Sequence, residues 1–317
     1  MSLSLNRQVQ LSSFIKSEAI QLGFSACGIS KSEHLADAEQ KTENWLAAGM
    51  HGEMSYMERN REKRYNPTLL VEGSKSVITV LYNYYPEEKP EETDNFKISK
   101  YAYGKDYHYI IKDKLKLLLQ KIENKTGKRN ARIFVDSAPV MDRAWAQKSG
   151  LGFIGKNTLL INKKMGSFFF IGQIILDLEL KYEDSNPANY CGSCTRCIDA
   201  CPTGALKAFT LDARKCISYL SIEYRGDKLP EGMKEKFNNW IFGCDICQDV
   251  CPWNHFSKPH QEPLFGLQQD LQQMRKADWE NLNKSKFKQL FKGTAVERTG
   301  FKNLKRNIDF LTDHNLV

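Results

Sequence analysis

The chain is 317 residues and 36.5 kDa, length enough for roughly two domains and a sizeable buried core. Its 41% apolar and 26% charged composition and mean hydropathy of −0.52 exclude disorder and a collagen, and no uninterrupted apolar run approaches the ~20 residues of a membrane span. Lys plus Arg outnumber Asp plus Glu by 46 to 38, a net charge of +8 that suits a polyanionic partner such as nucleic acid and equally a protein that is merely basic.

The opening MSLSLNRQVQ has no apolar core of a secretory signal, so a cytoplasmic protein is expected. Residues 5–24 place Leu11, Phe14, Ile15, Ala19 and Leu22 at helical spacing and end at Gly23, a C-cap. Residues 34–60 also read as helical, punctuated by Gly49 and Gly52. The β-branched run 76–82 is a strand, and the Pro- and Glu-rich 86–95 a solvated loop. A Leu-periodic helix over 112–123 leads to a strand at 131–135 and a short helix at 143–149. A Gly-rich turn and strands at 158–161 and 168–178 complete a mixed helix-and-strand unit, residues 1–181. Composition turns polar over 182–190, giving a second unit, 182–257, rich in cysteine, and a basic helical segment, 258–317. Between Lys284 and Arg306 eight Lys or Arg (284, 286, 288, 292, 298, 302, 305, 306) face one acid, Glu297.

Eight of the nine cysteines fall between 191 and 251. Cys191, Cys194, Cys197 and Cys201-Pro202 form the C-x2-C-x2-C-x3-C-P run of two-cluster ferredoxins. Cys244, Cys247 and Cys251-Pro252 repeat it without the leading cysteine, and Cys216 supplies the eighth thiolate. Three cysteines three residues apart wrap one cubane while the fourth crosses to its neighbour. Cys191, Cys194, Cys197 and Cys251 are therefore assigned to one 4Fe-4S cluster, and Cys201, Cys216, Cys244 and Cys247 to the other. Zinc ribbons also use Cys-x2-Cys pairs, but the triple spacing and paired Cys-Pro favour clusters. Cys27 stands apart as a buried apolar thiol.

Gly150-Leu-Gly-Phe-Ile-Gly155 matches G-x-G-x-x-G, but a helix precedes it and a strand follows, the reverse of a dinucleotide fold. As a P-loop it fails at Asn157, where Ser or Thr must reach Mg²⁺. Close backbone approach to another cofactor is the reading that stays open. Asp106-Tyr-His108 lacks the glycine of a cobalt-ligating Asp-x-His-x-x-Gly loop, since position 111 is Ile, and His108 reads as structural. Asp136 follows a strand and precedes Ser137-Ala-Pro139, which suits a catalytic acid at a strand end and equally a turn or helix N-cap.

The runs 62–67 (EKRYNP), 135–139 (VDSAP), 150–158 (GLGFIGKNT), 191–202, 216–220 (CISYL), 243–247 (GCDIC) and 293–298 (GTAVER) closely resemble the epoxyqueuosine reductase family, over about residues 10–306. The resemblance implies a nitroreductase-like cobalamin-binding domain, a bacterial-type two-cluster ferredoxin domain and a helical C-terminal segment. It implies reduction of the epoxide of epoxyqueuosine in tRNA to the alkene, with electrons passing singly through the clusters to the cobalt and two protons supplied as the oxygen leaves as water. Asp136 matches the family's proton donor, and burial beside an apolar corrin would raise its pKa. Arg64, Tyr103, Leu160, Ile171, Ser218 and Asp245 match corrin contacts, some through backbone, and Asp245 lies where the second cluster would approach the ring. The corrin would bind without a protein histidine, and the basic segment would neutralise phosphates around the tRNA anticodon loop or form a solvated helical face. Many members carry a further HEAT-like repeat, whereas this sequence ends at Val317, so a short or trimmed member is expected. A monomer fed by a separate electron donor is expected. The competing readings are a small-molecule corrinoid reductase, against which the missing twin-Arg signal speaks, and an electron-transfer module, against which the size of the first unit speaks.

Overall fold

The computed structural model describes residues 3–90, 93–183 and 188–312. Helix α1 (Leu5–Gln21) is followed by strand β1 (Ala26–Lys31), α2 (Ala36–Ala47), β2 (Ser76–Asn83), α3 (Tyr107–Thr126), β3 (Ala131–Phe134), α4 (Asp142–Lys148) and β4 (Phe169–Leu176). The four strands make one antiparallel sheet in the order β1-β2-β4-β3. Its register lines up Ile29, Ile78, Ile174 and Ile133 across all four strands.

Helices cover both faces. Leu11, Ile15 and Ala19 of α1 and Ile111, Leu115, Leu118 and Ile122 of α3 pack on Ile29, Ile78, Val80 and Ile174. On the other face Trp145 of α4 meets Val77, Phe134 and Ile175, and Ala146 meets Leu81 and Leu160. Covered twice, β2 is apolar along its length instead of alternating, and each large side chain so buried contributes about 1.5–3 kcal/mol.

The expected helix over 34–60 shrinks to α2, because Gly49 and Gly52 both turn left-handed, at φ 63° and 60°, leaving only a 3-10 turn at Ser55–Met57. The expected strand 158–161 is two residues, Leu160–Ile161, paired with Phe153–Ile154. Strand β1 was not expected: Ala-Cys-Gly-Ile-Ser-Lys carries little β propensity. In the expected loop 86–95, residues 91–92 lie outside the described set, as do 184–187 of the polar stretch 182–190.

Within the cysteine region lie α5 (Ile217–Ile222) and the short strand β5 (Trp240–Phe242), and beyond it α6 (Lys284–Phe291) and α7 (Gly300–Thr312). β5 pairs in parallel with Lys97–Ile98. The C-terminal helices close over that pairing: Leu290, Phe291, Leu304 and Ile308 share one apolar cluster with Phe96, Ile98, Ile241 and Phe242. Residues 313–317 lie outside the described set. Among the described residues no helix is long and apolar enough to cross a membrane.

Candidate active site and thiol centres

Strand β3 ends at Phe134, and two residues later Asp136 adopts φ 53°, with the Ser137 amide folded back onto the Val135 carbonyl at 2.5 Å. The helix that follows begins at Asp142 with Met141 as its N-cap, so Asp136 is a turn residue and not a cap. Its side chain is 62% exposed, not buried in the protein's own packing. The Tyr107 hydroxyl donates to its Oδ2 at 2.5 Å, and His108 Nε2 lies 3.7 Å from the same oxygen.

Tyr107 and His108 stand in the first turn of α3, where Asp106 is the N-cap. Its carboxylate accepts from the His108 amide at 2.9 Å and faces His108 Nδ1 at 2.7 Å. Burial opposes charge on Asp106, but the His108 contacts outweigh it and hold the carboxyl below the usual range. Tyr107 stacks flat on Phe170 with ring centroids 4.0 Å apart, and His108 stacks on Tyr107 at 4.2 Å. The tyrosine hydroxyl is driven well up by burial and then by Asp136, so it remains a donor. Asp136 is thus flanked by two rigidly held groups. The sequence alone reads His108 as structural, because nothing local joins residue 108 to residue 136.

A second carboxyl was missed. Asp142 Oδ1 is shut off from solvent and faces the buried Gln173 amide, which opposes the rise of its pKa. Burial first, and the Asp136 charge second, push Asp142 up to about 7. A lone Asp at the first position of a helix carries no signal beyond favourable helix polarity.

Of the residues matched to corrin contacts, Arg64 is 7% exposed, donates to the Tyr56 carbonyl at 2.9 Å, and keeps its Nε buried without a partner. Tyr56 is pushed up to about 12 by burial and feels both Asp136 and Arg64, which places the three together. Leu160 is buried in a cluster against which Ile171 packs. Tyr103 is buried beside Phe96 and Ile98, and Ser218 sits half-buried in α5. Asp245 is 5% exposed and its carboxylate is engaged by Lys100, accepting from the backbone amide at 2.9 Å and from Nζ at 3.4 Å. Lys100 also bonds Asp249 at 2.6 Å. Tyr101 spans the two regions: burial raises its hydroxyl, and so do Asp136 and Asp245.

Most of the clustered thiols feel one another's charge. Cys251 is raised by burial and by Cys191, Cys197 and Cys194. Cys247 is raised by burial and by Cys244, Cys216 and Cys201. Cys244, pushed up to about 12 by burial, likewise feels Cys216 and Cys201. Among the described residues no three His, Cys, Asp or Glu converge as they would around one metal ion. Cys27 lies apart in β1, pushed up to about 12 by burial, an inert thiol.

A family model described as epoxyqueuosine reductase QueG, DUF1730, matches residues 64–137, and one described as a 4Fe-4S double cluster binding domain matches residues 190–254. The epoxyqueuosine reductase of Leadbetterella byssophila is 54% identical over 299 residues, 94% of this chain and 97% of its own length. The chain belongs to the epoxyqueuosine reductase family. It is an oxidoreductase with a 4Fe-4S double-cluster domain. An epoxyqueuosine reductase solved with an epoxyqueuosine-modified tRNA-Tyr stem loop is similar to it at TM-score 0.86 and 27% identity, over 95% of this chain and 80% of the other. The epoxyqueuosine reductase of Bacillus subtilis, solved with its catalytic aspartate loop swung out of the active site, is similar at TM-score 0.84 and 27% identity, over 95% and 81%.

Proposed function

We propose that the protein reduces the epoxide of epoxyqueuosine in tRNA to the alkene of queuosine, with Asp136 as the proton donor. Two electrons and two protons enter, and the epoxide oxygen leaves as water. The observation that carries this reading is the Asp136 turn: a strained, accessible carboxyl backed by Tyr107 and His108 at a sheet end.

Cobalamin is the cofactor proposed, and the residues present fit it. Arg64 offers a buried, unpartnered Nε to a ring fringed with amides, and Leu160 and Ile171 offer apolar surface. Bound there, the cobalt would supply two-electron reduction of the carbon–oxygen bond. Asp245 holds Lys100 with its carboxylate, so any corrin contact of residue 245 is made through its backbone. Tyr107 and His108 hold the Asp136 carboxyl and pass a proton back to it after transfer. The two thiol fours hold two 4Fe-4S clusters that deliver electrons one at a time from a separate donor. Exposed lysines of α6, with unpaired bases of the anticodon loop, account for tRNA binding.

The test is an anaerobic assay of iron- and sulfide-reconstituted protein on epoxyqueuosine-containing tRNA with a strong reductant, with and without cobalamin, read by nucleoside mass spectrometry. Queuosine formed only with cobalamin is the expected result. No conversion with clusters intact and corrin bound would instead favour a small-molecule corrinoid reductase, and no corrin binding an electron-transfer module.

A further inference from the structure

The glycine-rich stretch 150–158 lacks the strand–turn–helix form of a nucleotide site, and the proposed reaction gives Lys156 no part. The stretch folds as a hairpin, Phe153–Ile154 against Leu160–Ile161, whose tip is Gly155 to Thr158. Backbone packing demands one glycine, and side chains crowd a second. A Cβ at residue 152 would stand 2.4 Å from the Ile161 carbonyl oxygen, and one at residue 155 would stand 2.4 Å from Ile161 Cδ1.

The tip points into the cysteine segments. The backbone amide of Lys156 donates to Cys191 Sγ at 3.4 Å. Its Nζ donates to the Gly192 carbonyl at 2.8 Å and the Cys194 carbonyl at 3.0 Å. Next to it the buried Asn157 donates from Nδ2 to the Cys247 carbonyl at 3.2 Å. One tip therefore grips the first thiol four through Lys156 and touches the second through Asn157. Among the described residues the partners of the ammonium are carbonyls and not carboxylates.

We propose that Lys156 is a positioning residue that holds the Cys191–Cys194 turn and raises the reduction potential of the cluster bound there. This rests on the two-cluster reading. One-electron reduction adds one negative charge to a cluster and its four thiolates. A fixed ammonium beside the turn and an N–H donor on a ligating sulfur both stabilise that reduced form. The Asn157 contact carries no charge and leaves the second cluster's potential little affected.

The experiment is an anaerobic, EPR-monitored redox titration of reconstituted full-length protein, with iron and sulfide counted first, for wild type, Lys156→Met and Lys156→Arg. Support is a more negative midpoint for one cluster in Lys156→Met with the full iron content, about tenfold in its oxidised-to-reduced ratio or roughly 59 mV for a one-electron couple. The other midpoint stays put, and Lys156→Arg, which restores the charge, lies near wild type. Unchanged midpoints in an iron-replete Lys156→Met, or equal shifts of both clusters, would overturn the proposal. If Lys156→Met loses iron, Lys156→Gln, which keeps a donor and removes only the charge, is judged by the same criteria. Wild-type protein that takes up no eight-iron complement would overturn the two-cluster reading itself, a result distinct from any Lys156 effect.

Discussion

Asp136 is held where its own backbone resists. A non-glycine residue at φ 53° costs on the order of 1 kcal/mol, and here the turn presents a carboxyl to Tyr107 and His108. Strain and chemistry should therefore separate on substitution. Asp136→Asn should lower turnover by about 10²–10⁴-fold at unchanged iron content, whereas Asp136→Gly should be as inactive yet melt higher, by roughly 0.5–1 kcal/mol in stability. A glycine variant that melts lower than wild type would show the turn to be unstrained. Asp142 gives a prediction in pH. Its folded-state pKa, up at about 7, lies above the unfolded value, so the native state binds the extra proton between those two values. Stability contributed by the neutral form is then lost as pH rises toward 7 and beyond. Asp142→Asn should accordingly stabilise the protein by about 2 kcal/mol at pH 8 and by much less at pH 4, read from denaturant unfolding at the two pH values.

Elements differ in how plainly they can be read from sequence. Strand β2 was legible because Val, Ile and Thr crowd a segment covered on both faces. Strand β1 was not, because Gly28 serves packing from a distance: a Cβ there would meet the Ser149 carbonyl 2.1 Å away. The thiol pattern was legible because ligand spacing is local. The Tyr107–Asp136 contact was not, because the two residues stand 29 apart in the chain, at the start of α3 and just past the end of β3, with nothing local to join them. The hairpin at 153–161 shows both sides: its glycines matched a nucleotide motif, but a short strand pair and not a helix follows them. Gly152→Ala should force the two strands apart and cost about 1–3 kcal/mol, seen as a lowered melting temperature. Because Lys156 rides on that hairpin, the same variant should also disturb the Cys191 region, whereas Gly73→Ala, a surface position with open space around it, should not.

At the scale of the molecule, the eight basic residues that look alike in sequence divide. Arg298 pairs with Glu223, Lys302 with Asp227 and Lys305 with Asp309, and Arg306 donates to the carbonyls of Leu220, Tyr224 and Gly226. Arg298, Lys302 and Arg306 tie the C-terminal segment to residues 220–227 around the end of α5, while the Lys305–Asp309 pair lies within α7. Lys284, Lys286, Lys288 and Lys292 are exposed around α6 and form the face proposed for tRNA. Replacing these four with Gln should weaken tRNA binding and flatten its salt dependence by about 0.7–0.9 for each phosphate no longer neutralised, with single-turnover conversion at saturating tRNA unchanged. Replacing Arg306 should instead destabilise the fold.

The two proposed ligand sets are interleaved along the chain: Cys251 would complete the set begun at Cys191, and Cys247 the set begun at Cys201. During synthesis, therefore, neither set is whole until the ribosome has passed residue 247, and the earlier-begun set is the later to finish. A break anywhere between residues 201 and 244 would sever both proposed sets at once.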